Sequence, residues 1–249
     1  DTSPPSGEPL RCAVVTEGQT TRSKTSEVLL YGRSAALRRL GQLRGEGGPK
    51  GLRQIVLTGE RGVGKTAVLR EFAADMPHVF LRVAPLGIAW PGHTIARLVL
   101  KLLGGGDERS PKAVKALYAD LPDRTRTLLD VLLMREALPA VDSTSWLTAS
   151  ELAASVYGLM RTYAKGASLL LVLDDIHCLD PASRMLLDEL IALCRHEDWL
   201  LVGAGPQREV RSTLRLKEWQ DFPLRPLGLR AATQLLESLG APRARLGLL

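Results

Sequence analysis

Residues 54–58, QIVLT, run without a break into GERGVGKT and then into AVLREFAADM. An apolar β-rich run, a glycine-rich turn and a helical pattern in that order constrain the fold more than any other stretch of the chain. Gly59, Glu60, Arg61, Gly62, Val63, Gly64, Lys65 and Thr66 satisfy GxxxxGK[ST] in the setting that gives the pattern meaning, a strand before and a helix after. The glycines let the backbone curl so that successive N–H groups point inward at phosphate oxygens. The helix that follows, opened by Lys65, Thr66 and Ala67, presents the positive end of its dipole to the same place. Lys65 is expected to reach the β- and γ-phosphates, and the Thr66 hydroxyl to sit on a magnesium ion whose other ligands are waters and phosphate oxygens.

A second stretch strengthens this reading. SLLLVLDD, residues 168–175, is a continuous aliphatic run ending in two carboxylates, the pattern of a parallel strand buried on both faces with a polar tip at its carboxyl edge. A sheet would bring Asp174 and Asp175 back beside the phosphate loop. Asp174 is assigned to orienting the magnesium ion and Asp175 to polarising the attacking water.

Around these motifs strands alternate with helices. VFLRVAP at 79–85, WLLVGAG at 199–205 and a short run at 222–224 read as further strands. Helical spacing recurs near 36–43, 94–103, 111–120, 124–138, 148–164 and 181–194. Residues 1–27 are rich in Ser, Thr, Gly and Pro and read as a linker or tail. The expectation is an α/β domain with a parallel sheet, and no internal repeat is evident.

Composition excludes several classes. With 45% hydrophobic and 24% charged residues the chain is not expected to be disordered, and its apolar runs are far shorter than the 18 or so residues that span a bilayer. No membrane is therefore implied. Cys12, Cys178 and Cys194 form no CxxC pair, which points to a reducing cytoplasm. The net charge of +6 is concentrated in residues 11–53, which hold nine Lys or Arg against three Glu. The single aromatic there, Tyr31, makes no interleaved platform of the kind nucleic acid would require, so direct contact with nucleic acid is not expected. The chain opens on Asp1 without an initiator Met and reads as a piece of something longer.

The residues resemble the AAA+-related signal-transduction ATPases with numerous domains, the STAND class, as found in large LuxR-type and in cyclase- or kinase-linked bacterial regulators. The resemblance runs over residues 28–240. LLYGRSAALRRL at 29–40 is similar to the segment that opens those domains, and implies that Tyr31, Gly32 and Arg33 lie at the base and ribose end of a nucleotide. Ser34 stands where an acidic residue is usual. LVLDDIHCLDPASRMLLDEL is similar to the second signature, with His177 and Asp180 in the places of its His and Asp. LVGAGPQRE at 201–209 resembles the strand and loop that sense the γ-phosphate, but Gly205 precedes Pro206 where an Arg is common, and Arg208 lies two positions beyond. LRPLGLRAATQLLESLG at 224–240 resembles the start of a helical lid.

The resemblance implies a P-loop NTPase three-layer sandwich with a mainly parallel sheet of about five strands at 28–224, including a helical block at about 94–164. A truncated lid would occupy 225–249. ATP or ADP with magnesium is the implied ligand, and the function a regulatory switch inside a multidomain regulator, with slow hydrolysis and nucleotide-dependent assembly of copies. Its partners would be the lid and effector domains absent from this segment. Two other readings stay open: a nucleic-acid-handling AAA+ ATPase of the initiator or transposition-helper kind, and a degenerate scaffold that holds ADP.

Overall fold

The computed structural model describes residues 32–45, 51–74, 76–85, 91–104, 111–133, 149–213 and 218–239. Tyr31 and the tail at 1–27 lie outside them. Five strands form the sheet: β1 (Arg53–Thr58), β2 (His78–Arg82), β3 (Leu170–Asp174), β4 (Leu200–Gly205) and β5 (Gln220–Pro223), in the spatial order β2-β3-β4-β1-β5. Every pairing is parallel, with Ile55 opposite Val202, Val172 opposite Val202 and Arg82 opposite Asp174. The helices are α1 (Ser34–Gly45), α2 (Lys65–Ala73), α3 (His93–Leu102), α4 (Pro111–Leu117), α5 (Asp123–Leu133), α6 (Ala149–Ala164), α7 (Pro181–Leu193), α8 (Gln207–Thr213) and α9 (Leu229–Ser238).

The aliphatic runs form strands because successive side chains leave on opposite faces and each face has a helical layer to cover it. On one face Leu170, Val172, Leu200, Val202, Ile55 and Leu57 pack with Val68, Leu69 and Phe72 of α2 and with Leu40 and Leu43 of α1. On the other, Leu171, Leu173, Leu201 and Val56 meet Ile95 and Val99 of α3, Leu129 of α5, Val156 of α6 and Leu187 of α7. All five residues of β3 are buried, as an interior strand of such a sandwich requires. This is the three-layer α/β architecture expected of a P-loop NTPase.

Several element bounds differ from the sequence pattern, each for a local reason. The run read as a strand to residue 85 leaves the sheet after Arg82, because β3 ends at Asp174 and the Val83 N–H to Asp174 O bond (2.8 Å) is the last rung available. The final strand begins at Gln220, pairing Ile55 with Gln220 through Thr58 with Pro223. The pattern at 111–120 ends as a helix at Leu117, where Tyr118 N–H bonds back to Lys115 O in a tighter turn. The pattern at 124–138 is helical to Leu133, and residues 134–138 lie outside the described set.

The sheet order decides where a ligand can sit. α1 and α2 cover one face and α3, α5, α6 and α7 the other, and β4 stands between β1 and β3. The carboxyl ends of β1 and β3 therefore open onto a common crevice, the place where parallel α/β sheets hold their ligands.

Candidate nucleotide site

The glycine-rich turn leaves the carboxyl end of β1 and closes onto α2. A Cβ at Gly59 would stand 2.7 Å from the Leu224 carbonyl oxygen, so only glycine fits between β1 and the chain leaving β5. Gly64 caps α2 in the left-handed region (φ 96°, ψ 21°) and makes no side-chain bond to the helix, so its first-turn N–H groups keep no side-chain partner there. Lys65 is 8% exposed and folds back over the loop, its Nζ donating to the carbonyl oxygens of Gly59 (3.0 Å) and Glu60 (2.8 Å). Burial holds its ammonium below the ordinary value, while Asp175, Asp174 and Glu209 pull the other way. A cation resting on two neutral carbonyls in a desolvated pocket is poised to exchange them for anionic oxygens.

Across β4, the Thr66 hydroxyl donates to Asp174 Oδ2 at 2.7 Å. Asp174 is 1% exposed. A hydroxyl and a carboxylate converging at one point are hard oxygen donors of the kind magnesium takes, and one carboxylate with one hydroxyl leaves room for waters and phosphate oxygens. Among the described residues no group of three or more His, Cys, Asp or Glu is placed to hold a metal ion. The pairing that the sequence spacing implied, residue 66 with residue 174, is thus present as a contact.

Asp175 departs from β3 with left-handed dihedrals (φ 59°, ψ 38°), which Asp tolerates better than most side chains. Its carboxylate pairs with Arg82 Nε at 3.1 Å, from the end of the neighbouring strand β2. Arg33 is 7% exposed; its guanidinium donates to Arg225 O at 2.7 Å and also to Val63 O in the phosphate loop. Burial lowers its pKa from the ordinary value. Gly32 (φ 70°) lies against α9, where an added Cβ would stand 2.5 Å from Ala231 Cβ. Arg33 is therefore brought to the phosphate loop and Gly32 to α9. Ala67, in the first turn of α2, is half-buried.

Asp180 serves the fold by capping α7, its Oδ1 accepting from Ser183 N (2.9 Å) and from Gly92 N (2.8 Å) ahead of α3. Arg208 is exposed. The sequence reading missed Glu209, which contacts both His177 and Arg61, and Arg82. Glu209 closes the stretch that resembles the γ-phosphate-sensing loop, but nothing in its spacing marks it, and each of the two meets its partner only through the fold.

A family model of the AAA ATPase domain matches residues 29–202, more than half of the chain. The chain belongs to the AAA ATPase domain family. As a member it is a nucleotide-binding P-loop ATPase module, and the Lys65 and Asp174 contacts lie within the matched span. Among solved structures this AAA ATPase domain is similar to that titled "Structure of C. elegans PCH-2", at 14% sequence identity and a TM-score of 0.33, covering 90% of this chain and 46% of that one. The domain thus spans less than half the length of that protein. A comparison with curated proteins gave no match. Among the described residues no helix of the domain is long and apolar enough to cross a membrane.

Proposed function

We propose that this AAA ATPase domain is a nucleotide-dependent regulatory switch of the STAND kind, binding ATP or ADP with magnesium inside a larger cytoplasmic signalling or transcriptional regulator. The observation that carries the reading is the placement of Arg33. One buried guanidinium holds both the phosphate loop, at Val63 O, and the segment after β5, at Arg225 O, while its neighbour Gly32 packs on α9. A buried cation satisfied only by carbonyl oxygens is costly to keep. Here it couples whatever fills the loop to the segment that starts at Arg225, read as the opening of a lid, and so gives the core at 28–224 a route to move it.

In this reading Gly59, Glu60, Arg61, Gly62, Val63, Gly64, Thr66 and Ala67 wrap the phosphates and Lys65 neutralises the β- and γ-oxygens. Gly32 and Arg33, with Tyr31, meet the base end. Thr66 and Asp174 hold magnesium, which supplies charge neutralisation at the transferred phosphoryl group. Asp175 orients the attacking water, but only after releasing Arg82, and Gly205 offers no side chain at the strand tip. Both features fit slow turnover better than a fast motor. Copies of the chain would assemble when the γ-phosphate is present.

Calorimetric titration with ATP and with ADP, each with and without magnesium, tests the reading after any co-purified nucleotide is removed. Asp174→Ala is expected to make binding insensitive to magnesium, with weaker ATP binding by about tenfold in its presence. Binding that responds to magnesium as before would remove Asp174 from the metal. Salt-dependent binding of DNA by this chain would favour a nucleic-acid-handling ATPase instead, and ADP that never exchanges would favour a scaffold.

A further inference from the structure

Helix α8 begins just after Gly205, and its first turn carries a carboxylate that joins the two nucleotide motifs. Glu209 Oε2 lies 3.0 Å from Nε2 of His177, which follows the Asp174–Asp175 pair, and Glu209 Oε1 lies 3.4 Å from Nη2 of Arg61 inside the phosphate loop. The two contacts differ in kind. The His177 side chain is 12% exposed, and its ring lies so close to Gly205 that an added Cβ would stand 2.9 Å from Nδ1. Arg61 is 82% exposed and is held on the Glu209 side by this one weak pair. Glu209 is therefore anchored at His177 and merely leans on Arg61.

Three carboxylates, Asp174, Asp175 and Glu209, act together on the charge of Lys65. Asp174 is engaged by Thr66 and Asp175 by Arg82, which leaves Glu209 as the one that engages the loop's own arginine. A γ-phosphate entering beside Lys65 adds negative charge within reach of Glu209 and competes with it for the Arg61 guanidinium.

We propose, resting on the ATP or ADP reading given above, that Glu209 sets the preference of this site between tri- and diphosphate. Its carboxylate, fixed by His177, withholds Arg61 from the γ-phosphate and repels the added charge, so the site favours ADP until the Arg61 contact opens. Opening frees α8 on the loop side while His177 still holds it. The strand tip at Gly205 then needs no side chain of its own, because the β4 and α8 segment reads the γ-phosphate through Glu209.

The test is a competition titration of ATP against ADP, with magnesium, on the whole chain and on Glu209→Gln, Arg61→Gln and Lys65→Ala, each checked for folding by circular dichroism. Glu209→Gln keeps the size and one accepting oxygen, which can stay on His177, but removes the charge and the second acceptor, and is expected to raise affinity for ATP relative to ADP by about tenfold, with ADP itself changed less than about twofold. The gain should shrink as salt is raised. Arg61→Gln is expected to shift the ratio the opposite way, which a merely structural contact would not do. An unchanged ratio in Glu209→Gln and in Arg61→Gln, or an equal fall for both nucleotides, would overturn the inference. If the parent chain binds neither nucleotide, the ATP or ADP reading falls and this inference with it, whereas loss of binding in Lys65→Ala beside an unmoved ratio in Glu209→Gln leaves that reading intact and removes only the role of Glu209.

Discussion

Lys65→Ala is expected to weaken binding of both ATP and ADP by about a hundredfold or more while leaving the chain folded. Charge-assisted hydrogen bonds are each worth about 1.5–3 kcal/mol, and Lys65 would make more than one to phosphate oxygens. The hundredfold figure corresponds to about 2.7 kcal/mol. The fold should tolerate the change because Nζ bonds only to the loop carbonyls of Gly59 and Glu60, and burial already disfavours its charge. Calorimetry beside a thermal melt checks both halves. Retained affinity in a folded Lys65→Ala protein would mean that the phosphates lie elsewhere.

The second large effect is one of stability. Gly205→Arg, which would put back the residue common at this position in the resembling family, is expected to destabilise the domain by about 3 kcal/mol, at the upper end of ordinary overpacking costs. That is a fall in melting temperature of roughly 6–12 °C for a chain of this size. A Cβ at Gly205 would stand 2.6 Å from Val210 Cγ2 and 2.9 Å from His177 Nδ1. Both neighbours are held: Val210 is fully buried, and His177 is pinned by Glu209. Adding Val210→Ala and His177→Ala to Gly205→Arg should recover part of the loss, since the three share one space. A melting temperature unchanged in Gly205→Arg would show that the strand tip has room for a side chain.

Gly205 also shows where sequence reasoning stops. On the chain it looks like a lost side chain. In the fold it is the floor on which the His177 ring lies, a relation between positions far apart that no local spacing encodes. The opposite holds for the phosphate loop and the Asp174–Asp175 run. Their chemistry is tied to fixed offsets, a glycine turn between strand and helix and a carboxylate at the tip of an apolar strand, so the parallel sheet and the two-motif site are legible in the sequence alone. Arg33 falls between: its family place is recognisable, but its bonds to Val63 and Arg225 depend on how α1 and the segment after β5 close over the loop. Arg82 and Glu209 carry no signal, because an isolated Arg at a strand end and an isolated Glu on a short helix read as ordinary surface residues.

The order of the strands has a consequence for how the chain is made. β1, which leads into the phosphate loop, has no sheet neighbour near it in sequence: residue 53 pairs with residue 200, and residue 55 with residue 220. On the ribosome β1 emerges early and must wait, apolar and unpaired, until nearly the whole domain has been synthesised. The strand's own aliphatic run is an aggregation hazard during that interval. The crevice at the strand tips needs β4 in place between β1 and β3, so a nucleotide held there would stabilise the finished domain by mass action.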